Sequence, residues 1–279
     1  MVATAVGTPL LVFGCIAAVI ALAPARLAIG LVVVGVLGIA VSAKERAARP
    51  QGSPVSPSEA PELHAIVDRL CVMADLPKPE IVIEPERQPN SWLVALSRGR
   101  ARLHVTRGLL DVVTPQELEA VVGHELAHLA NRDAVVMTVV GGPGAALMAG
   151  GARARHFGWY GIVAGAVASA IGWLSRVGTQ ALSRHRELAA DAGSAALTGH
   201  PAALASALRK VAGDLQRMPR RDLREAAARD AFHLMPVGQE PREWHERLTA
   251  THPSLAERIE RLERLEQRLH GARLTAPRD

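Results

Sequence analysis

Cysteine is almost absent from this sequence of 279 residues: Cys15 lies in a hydrophobic run and Cys71 in a stretch of helical periodicity. No disulfide framework follows from two such positions, and neither has the paired spacing of a cysteine-rich zinc site. Aromatic residues are scarce as well, 3% of a chain that is 49% hydrophobic, so its apolarity rests on Ala, Val, Leu and Gly. That composition suits membrane segments as readily as a large core. Lysine is nearly missing, with only Lys44, Lys78 and Lys210 among 32 cationic residues behind a net charge of +5. The sequence has no basic patch interleaved with aromatics and no nucleic-acid-binding module, so nucleic acid is not implied as a partner. Basic flanks beside membrane segments account for the excess.

What the chain does have is long stretches without charge. Residues 2–25 carry none, Arg26 interrupts, and residues 27–43 again carry none before Lys44, Glu45 and Arg46. Two such runs around Pro24-Ala25-Arg26 read as a transmembrane hairpin. Ala21-Leu22-Ala23 resembles a signal-peptide cleavage site, but the basic leader is missing and a second apolar run follows at once. Residues 134–152 and 157–175 form a second uncharged pair, joined by Arg153-Ala154-Arg155-His156, with Pro143 expected to kink the first. Gly161, Gly165 and Ser169 at four-residue spacing suit close helix packing in lipid. The basic cluster after the first pair places both termini and the polar segments in the cytoplasm. The expected anatomy is a hairpin at 1–43, half of a soluble domain at 44–133, a second hairpin at 134–176 and the remaining half-domain at 177–279.

The polar segments read as helix and short strands. Residues 58–74 repeat Leu63, Ile66, Val67 and Leu70 at helical spacing. Residues 80–84 (E-I-V-I-E) alternate as a strand between two prolines, and residues 92–96 and 102–106 are two more strands around the turn Arg98-Gly99-Arg100. Helices are expected over 180–198, 202–214 and 253–270, with a loop-rich stretch at 217–243. The fold class is therefore mainly α with a small β-sheet, plus transmembrane helices, four of them in two hairpins.

The chemistry lies in His124-Glu125-Leu126-Ala127-His128. Thr114 as N-cap, Pro115 at the first helical position and Glu117 completing a capping box start a helix. Leu118, Val121, Val122, Leu126 and Leu129 then continue it. On that helix two histidines four residues apart share a face and can reach one metal ion, with Glu125 about 100° round the axis as a general base. Three protein ligands are needed, with a fourth position left open. In Ser183-Arg184-His185-Arg186-Glu187-Leu188-Ala189-Ala190-Asp191, Glu187 is the available carboxylate and Asp191, one turn on, could orient a histidine ligand. Taken alone, Glu187 reads more readily as a surface ion-pair partner of Arg184 than as a ligand.

The motif H-E-L-A-H with Asn131-Arg132-Asp133, then a hydrophobic hairpin, then S-R-H-R-E-L-A-A-D-A-G-S, resembles the HtpX-type heat-shock membrane metalloproteases. Their wider family includes the CAAX prenyl endopeptidases. The similarity reaches upstream to Pro89-Asn90 and residues 102–110 and downstream to Thr251-His252-Pro253-Ser254 with Arg258-Ile259, almost the whole chain. It implies a zincin-like catalytic domain in which His124, His128 and Glu187 bind one Zn²⁺ per chain and Glu125 is the catalytic base. Arg184 and His252 are candidates for stabilising the transition state, His252 from a loop that in the family resembles a lid. The family continues its upstream Asn with a small and an aromatic residue and then Ala; here Ser91-Trp92-Leu93 follow Asn90, so Asn90 and Trp92 are candidate substrate-strand residues whose contacts differ. Substrate is expected as an added strand near 92–96 or 102–106.

The resemblance implies a multi-pass protein of the inner (plasma) membrane with its catalytic domain in the cytoplasm. Its partners are the lipid bilayer and protein substrates, membrane proteins that are damaged or misassembled; no obligate protein partner is inferable. Two alternatives stand beside this: a processing protease such as a prenyl-peptide cutter, and a non-proteolytic membrane metalloprotein acting as sensor or chaperone adaptor. His128 precedes the uncharged run by six residues, so one continuous helix would set the metal about 10–20 Å from the bilayer surface.

Overall fold

Pro61, with its fixed φ and no N–H to leave unpaired, opens helix α1 (Pro61–Met73), three residues later than residue periodicity suggests. The preceding turn is held by Ser56, whose backbone N–H and hydroxyl both donate to Glu59. This is a computed structural model that describes residues 53–97, 100–154, 156, 158–218, 234 and 250–275. The expected hairpin at 1–43 lies outside them, as does most of the loop-rich stretch at 217–243.

The chain divides into two compact units, residues 50–133, 186–240 and 251–279 in one, and residues 1–49, 134–185 and 241–250 in the other. In the first unit, three strands form a sheet in the order β1-β3-β2: β1 (Glu80–Glu84), β2 (Ser91–Ser97) and β3 (Arg100–Thr106). β3 runs parallel to β1 with Ile81 opposite Leu103, and antiparallel to β2 with Leu93 opposite Leu103. The expectation that 102–106 offers an edge is thus corrected, because β3 is paired on both sides and, among the described residues, β2 and β1 are the outer strands. One sheet face, through Ala101, Leu103 and Val105, joins the core. The core continues through Leu63, Val67 and Leu70 of α1 and through helix α3 (Pro115–Ala130). The short helix α2 (Arg107–Val112) links sheet to α3. Helix α6 (Pro201–Arg217) packs on α3 through Leu204, Leu208 and Val211, and α7 (Leu255–Thr275) packs on α6.

Helix α3 does not run on into the apolar segment. Asn131 caps it, Arg132 adopts φ 55°, and a new helix α4 (Asp133–Ala154) starts at once. A left-handed residue cannot continue a right-handed helix, which corrects the continuous-helix expectation. A second correction concerns residues 157–175 and 180–198, which are not two helices: α5 is one helix of 41 residues, Gly158–Thr198.

In the second unit, Pro143 sits inside α4 without ending it. Small residues let α4 and the first part of α5 touch backbone to backbone: a Cβ on Gly151 would fall 2.6 Å from the Gly165 carbonyl oxygen, and one on Gly172 would fall 2.8 Å from that of Gly144. Val135, Val139, Trp159, Tyr160, Val167 and Trp173 are exposed on these helices. α4 and α5 are the two helices, among the described residues, long and apolar enough to cross a membrane. The uncharged part of α5 ends at Ser175, before Glu187 is reached.

Candidate metal centre

The capping box at Thr114 and Glu117 forms in full: the Thr114 hydroxyl accepts from the Glu117 N–H, and the Glu117 carboxylate accepts from the Thr114 N–H at 2.7 Å. It fixes the start of α3 two turns before the motif. Eleven of the sixteen α3 residues are buried, His124 and Glu125 among them. Opposite α3 runs the last part of α5, and their approach depends on a missing side chain. A Cβ on Gly193 would lie 2.7 Å from Cβ of Ala127, closer than carbon atoms pack. The Ser194 hydroxyl then donates to the Ala120 carbonyl at 2.6 Å, one turn before His124.

That approach brings Glu187 to the histidine pair. Nε2 of His124 and Nε2 of His128 face each other at 3.1 Å, with their rings nearly perpendicular at 89°. The Glu187 oxygens stand 3.8 Å from the first nitrogen and 3.5 Å from the second. Ligands at about 2.0–2.1 Å around a tetrahedral ion are separated by about 3.3–3.4 Å. Two imidazole nitrogens and a carboxylate in this triangle therefore fit a divalent ion, and they can hold a metal together.

The outer nitrogens of both rings face carboxylates. Nδ1 of His128 lies 2.6 Å from Oδ2 of Asp133, and Nδ1 of His124 lies 3.0 Å from Oδ1 of Asp191. A carboxylate only accepts, so in its hydrogen bond Nδ1 of His128 carries the proton and Nε2 turns its lone pair inward, whereas Nδ1 of His124 stands at ion-pair distance from Asp191 without a hydrogen bond. Arg186 in turn pairs with Asp133 and donates to the Asn131 carbonyl at 3.1 Å. Arg258, 1% exposed, places Nε and Nη2 on the Asp191 carboxylate at 2.9 and 2.7 Å. Its Nη1 donates to the Leu234 carbonyl at 2.8 Å and stands 3.7 Å from Glu187.

Charge at Glu187 follows from these neighbours. Burial alone would raise its pKa, but His252 with Nδ1 at 3.1 Å, His128 and Arg258 outweigh it and hold the carboxyl well below the usual range. Burial acts the same way on Asp191, where Arg258 and His124 prevail and keep it ionised. Both carboxylates are therefore charged at neutral pH, as a metal ligand and its support must be.

The remaining sequence candidates fall in different places. Glu125 is 5% exposed, and its Oε1 accepts from the Ser91 hydroxyl at 2.9 Å. His252 reaches Glu187, whereas Arg184 gives its Nη1 to the Ala250 carbonyl at 2.8 Å. Asn90 is buried: its Oδ1 accepts from the Leu234 N–H at 3.0 Å, and its own N–H donates to the Thr106 hydroxyl. Trp92 stacks on His104 with ring centroids 4.8 Å apart, and His104 places Nδ1 2.8 Å from Glu84. Sequence reasoning passed over Asp133, Arg258 and Ser91. For Arg258 a signal existed, since it lies three residues after Leu255 and four before the fully buried Leu262, on the inward stripe of α7.

A helix-borne H-E-x-x-H whose third donor comes from a second helix defines the metallopeptidase class. The chain belongs to Peptidase family M48, whose sequence profile matches residues 57–266. It is 45% identical over 235 residues to the Protease HtpX homolog of Moorella thermoacetica, covering 78% of this chain and 77% of that one. Protease HtpX homolog 1 of Streptomyces coelicolor is 39% identical over 277 residues, 94% of this chain and 90% of its own length. Among solved structures, the crystal structure of S. mikatae Ste24p superposes with a TM-score of 0.52 at 16% identity. It covers 76% of this chain, and this chain spans about half (52%) of its length; the likeness is one of fold. The protein is accordingly a membrane metalloprotease whose family implies a catalytic metal.

Proposed function

We propose that this protein is a membrane-anchored zinc endopeptidase that cuts misfolded or damaged membrane proteins at the cytoplasmic face of the inner membrane. The observation that carries the reading is the convergence of the His124, His128 and Glu187 donor atoms, 3.1 to 3.8 Å apart, beside the buried Glu125. Residues 44–133 and 177–279 form the catalytic domain, and residues 1–43 and 134–176 form two membrane hairpins, four spans in all. Two imidazoles and one carboxylate favour zinc over harder ions.

The division of labour follows from the contacts. His124, His128 and Glu187 hold the ion, which when bound supplies a Lewis acid and lowers the pKa of water. Asp133 keeps the His128 ring in the tautomer that points Nε2 inward, and Asp191 faces the outer nitrogen of His124. Glu125 takes a proton from the attacking water and returns it to the leaving amine. His252, beside Glu187, is the donor to an oxyanion that a contact supports, and Arg184 stays a second candidate that donates to the Ala250 carbonyl. Substrate lies extended along the outer side of β2, recognised by its backbone and therefore with little sequence preference. Trp92 borders that strand through its stack on His104, and Asn90 fixes where the strand begins.

The test is metal analysis together with casein cleavage by the full chain in detergent, wild type beside Glu125→Gln. One zinc per chain, cleavage abolished by chelation and restored by zinc, and an inactive but metal-loaded Glu125→Gln are expected. Full activity in Glu125→Gln would overturn the reading. A misfolded membrane-protein substrate in the same detergent, cut faster than its folded form, tests the substrate class.

A further inference from the structure

Ser91 is the first residue of β2, and its side chain is 1% exposed. Alternation along the strand sets Ser91, Leu93 and Ala95 on one face, where Leu93 and Ala95 pack against the core, and Trp92 on the other against His104. A hydroxyl buried on an apolar face needs a partner. That partner is the motif glutamate, 34 residues further along the chain: Oγ of Ser91 donates to Oε1 of Glu125 at 2.9 Å. Among the described residues Oε2 of Glu125 makes no hydrogen bond.

A carboxylate swings about a broad, two-fold terminal torsion, so an unrestrained Glu125 presents either oxygen in many orientations. Serine has a single proton to give. Committed to Oε1, it fixes the plane of the carboxylate and leaves Oε2 as the oxygen that can accept a proton. We propose that Ser91 is a positioning residue for Glu125, and that it ties the base to the strand along which the substrate is laid. Pairing of a substrate segment to β2 then settles the strand residue that aims the base, so binding and proton transfer share one element. The inference rests on Glu125 acting as the proton acceptor.

Ser91→Ala and Ser91→Cys in the full chain separate the hydrogen bond from packing. Alanine is smaller than serine and cysteine larger, yet neither offers a strong donor. Both variants are expected to lose about tenfold in kcat, the range for a hydrogen bond to a charged group. KM, zinc content and melting temperature should stay at wild-type values. A kcat within twofold of wild type in either variant overturns the proposal, as does a loss confined to one of them, because that outcome follows volume and not the donor. Should Ser91→Ala unfold below the assay temperature, Ser91→Cys decides alone. Glu125→Gln run in parallel keeps the two questions apart: if it retains full activity the base assignment fails, whatever Ser91 does.

Discussion

Arg258 closes on Asp191 with two hydrogen bonds, and both residues are shut off from solvent. Breaking such a pair leaves one buried charge without a partner, which costs about 3–5 kcal/mol. Arg258→Met is therefore expected to lower the melting temperature of the detergent-solubilised chain sharply. The double variant Arg258→Met/Asp191→Asn should melt higher than the two single losses summed would give, and a thermal double-mutant cycle measures that coupling.

Removing the support of one ligand weakens the metal without removing a ligand. Asp133→Asn takes the negative charge from beside Nδ1 of His128 and removes the ion-pair partner of Arg186. Zinc affinity is expected to fall about 10–100-fold, as read by competition with a chromogenic chelator. Circular dichroism should show unchanged helix content.

The spacing of α3 and α5 rests on Gly193. Gly193→Ala drives a methyl to within 2.7 Å of Ala127 Cβ and forces the helices apart, a strain of about 1–3 kcal/mol. Zinc retention during gel filtration should drop, because Glu187 shares a helix with Gly193 and the histidines share one with Ala127. Adding Ala127→Gly to the same chain should restore it, whereas Ala127→Gly alone should retain zinc.

Glu117 sets an acid limit on stability. Burial would raise its pKa, but Lys210, Ser206 and the Thr114 N–H, bonded to its two oxygens, outweigh this and lower it. A carboxyl with a lowered folded pKa stabilises the fold above its unfolded value of about 4.3 and loses that contribution as pH falls further. In Glu117→Gln the melting temperature should lie below wild type near neutrality, and the difference should shrink on acidification below about pH 4. A difference that stays constant across that range would mean that the charge plays no part.

Local signals carried far in this chain and long-range ones did not. The capping box at Thr114 and the strand at 80–84 are written in neighbouring residues and both form, although burial along the strand does not alternate, Ile81 and Val82 both being buried. The order of the strands, with β3 between β1 and β2, depends on pairing between distant segments and has no local mark. The break at Asn131-Arg132 was legible only as composition: asparagine suits a helix end, but the positive φ falls on the arginine. Missing the break hid Asp133, which reaches His128 only because the chain turns there. Arg258 looks like one more surface cation in an arginine-rich helix until its position on the stripe of Leu255 and Leu262 is counted.

Asp133 holds two positions at once, first residue of the apolar helix α4 and hydrogen-bond partner of the His128 imidazole. The contact spans five residues and closes only because the chain turns between the two helices. The end of α3 and the start of the next helix are thus joined twice, by the backbone turn at Arg132 and by this one side-chain hydrogen bond.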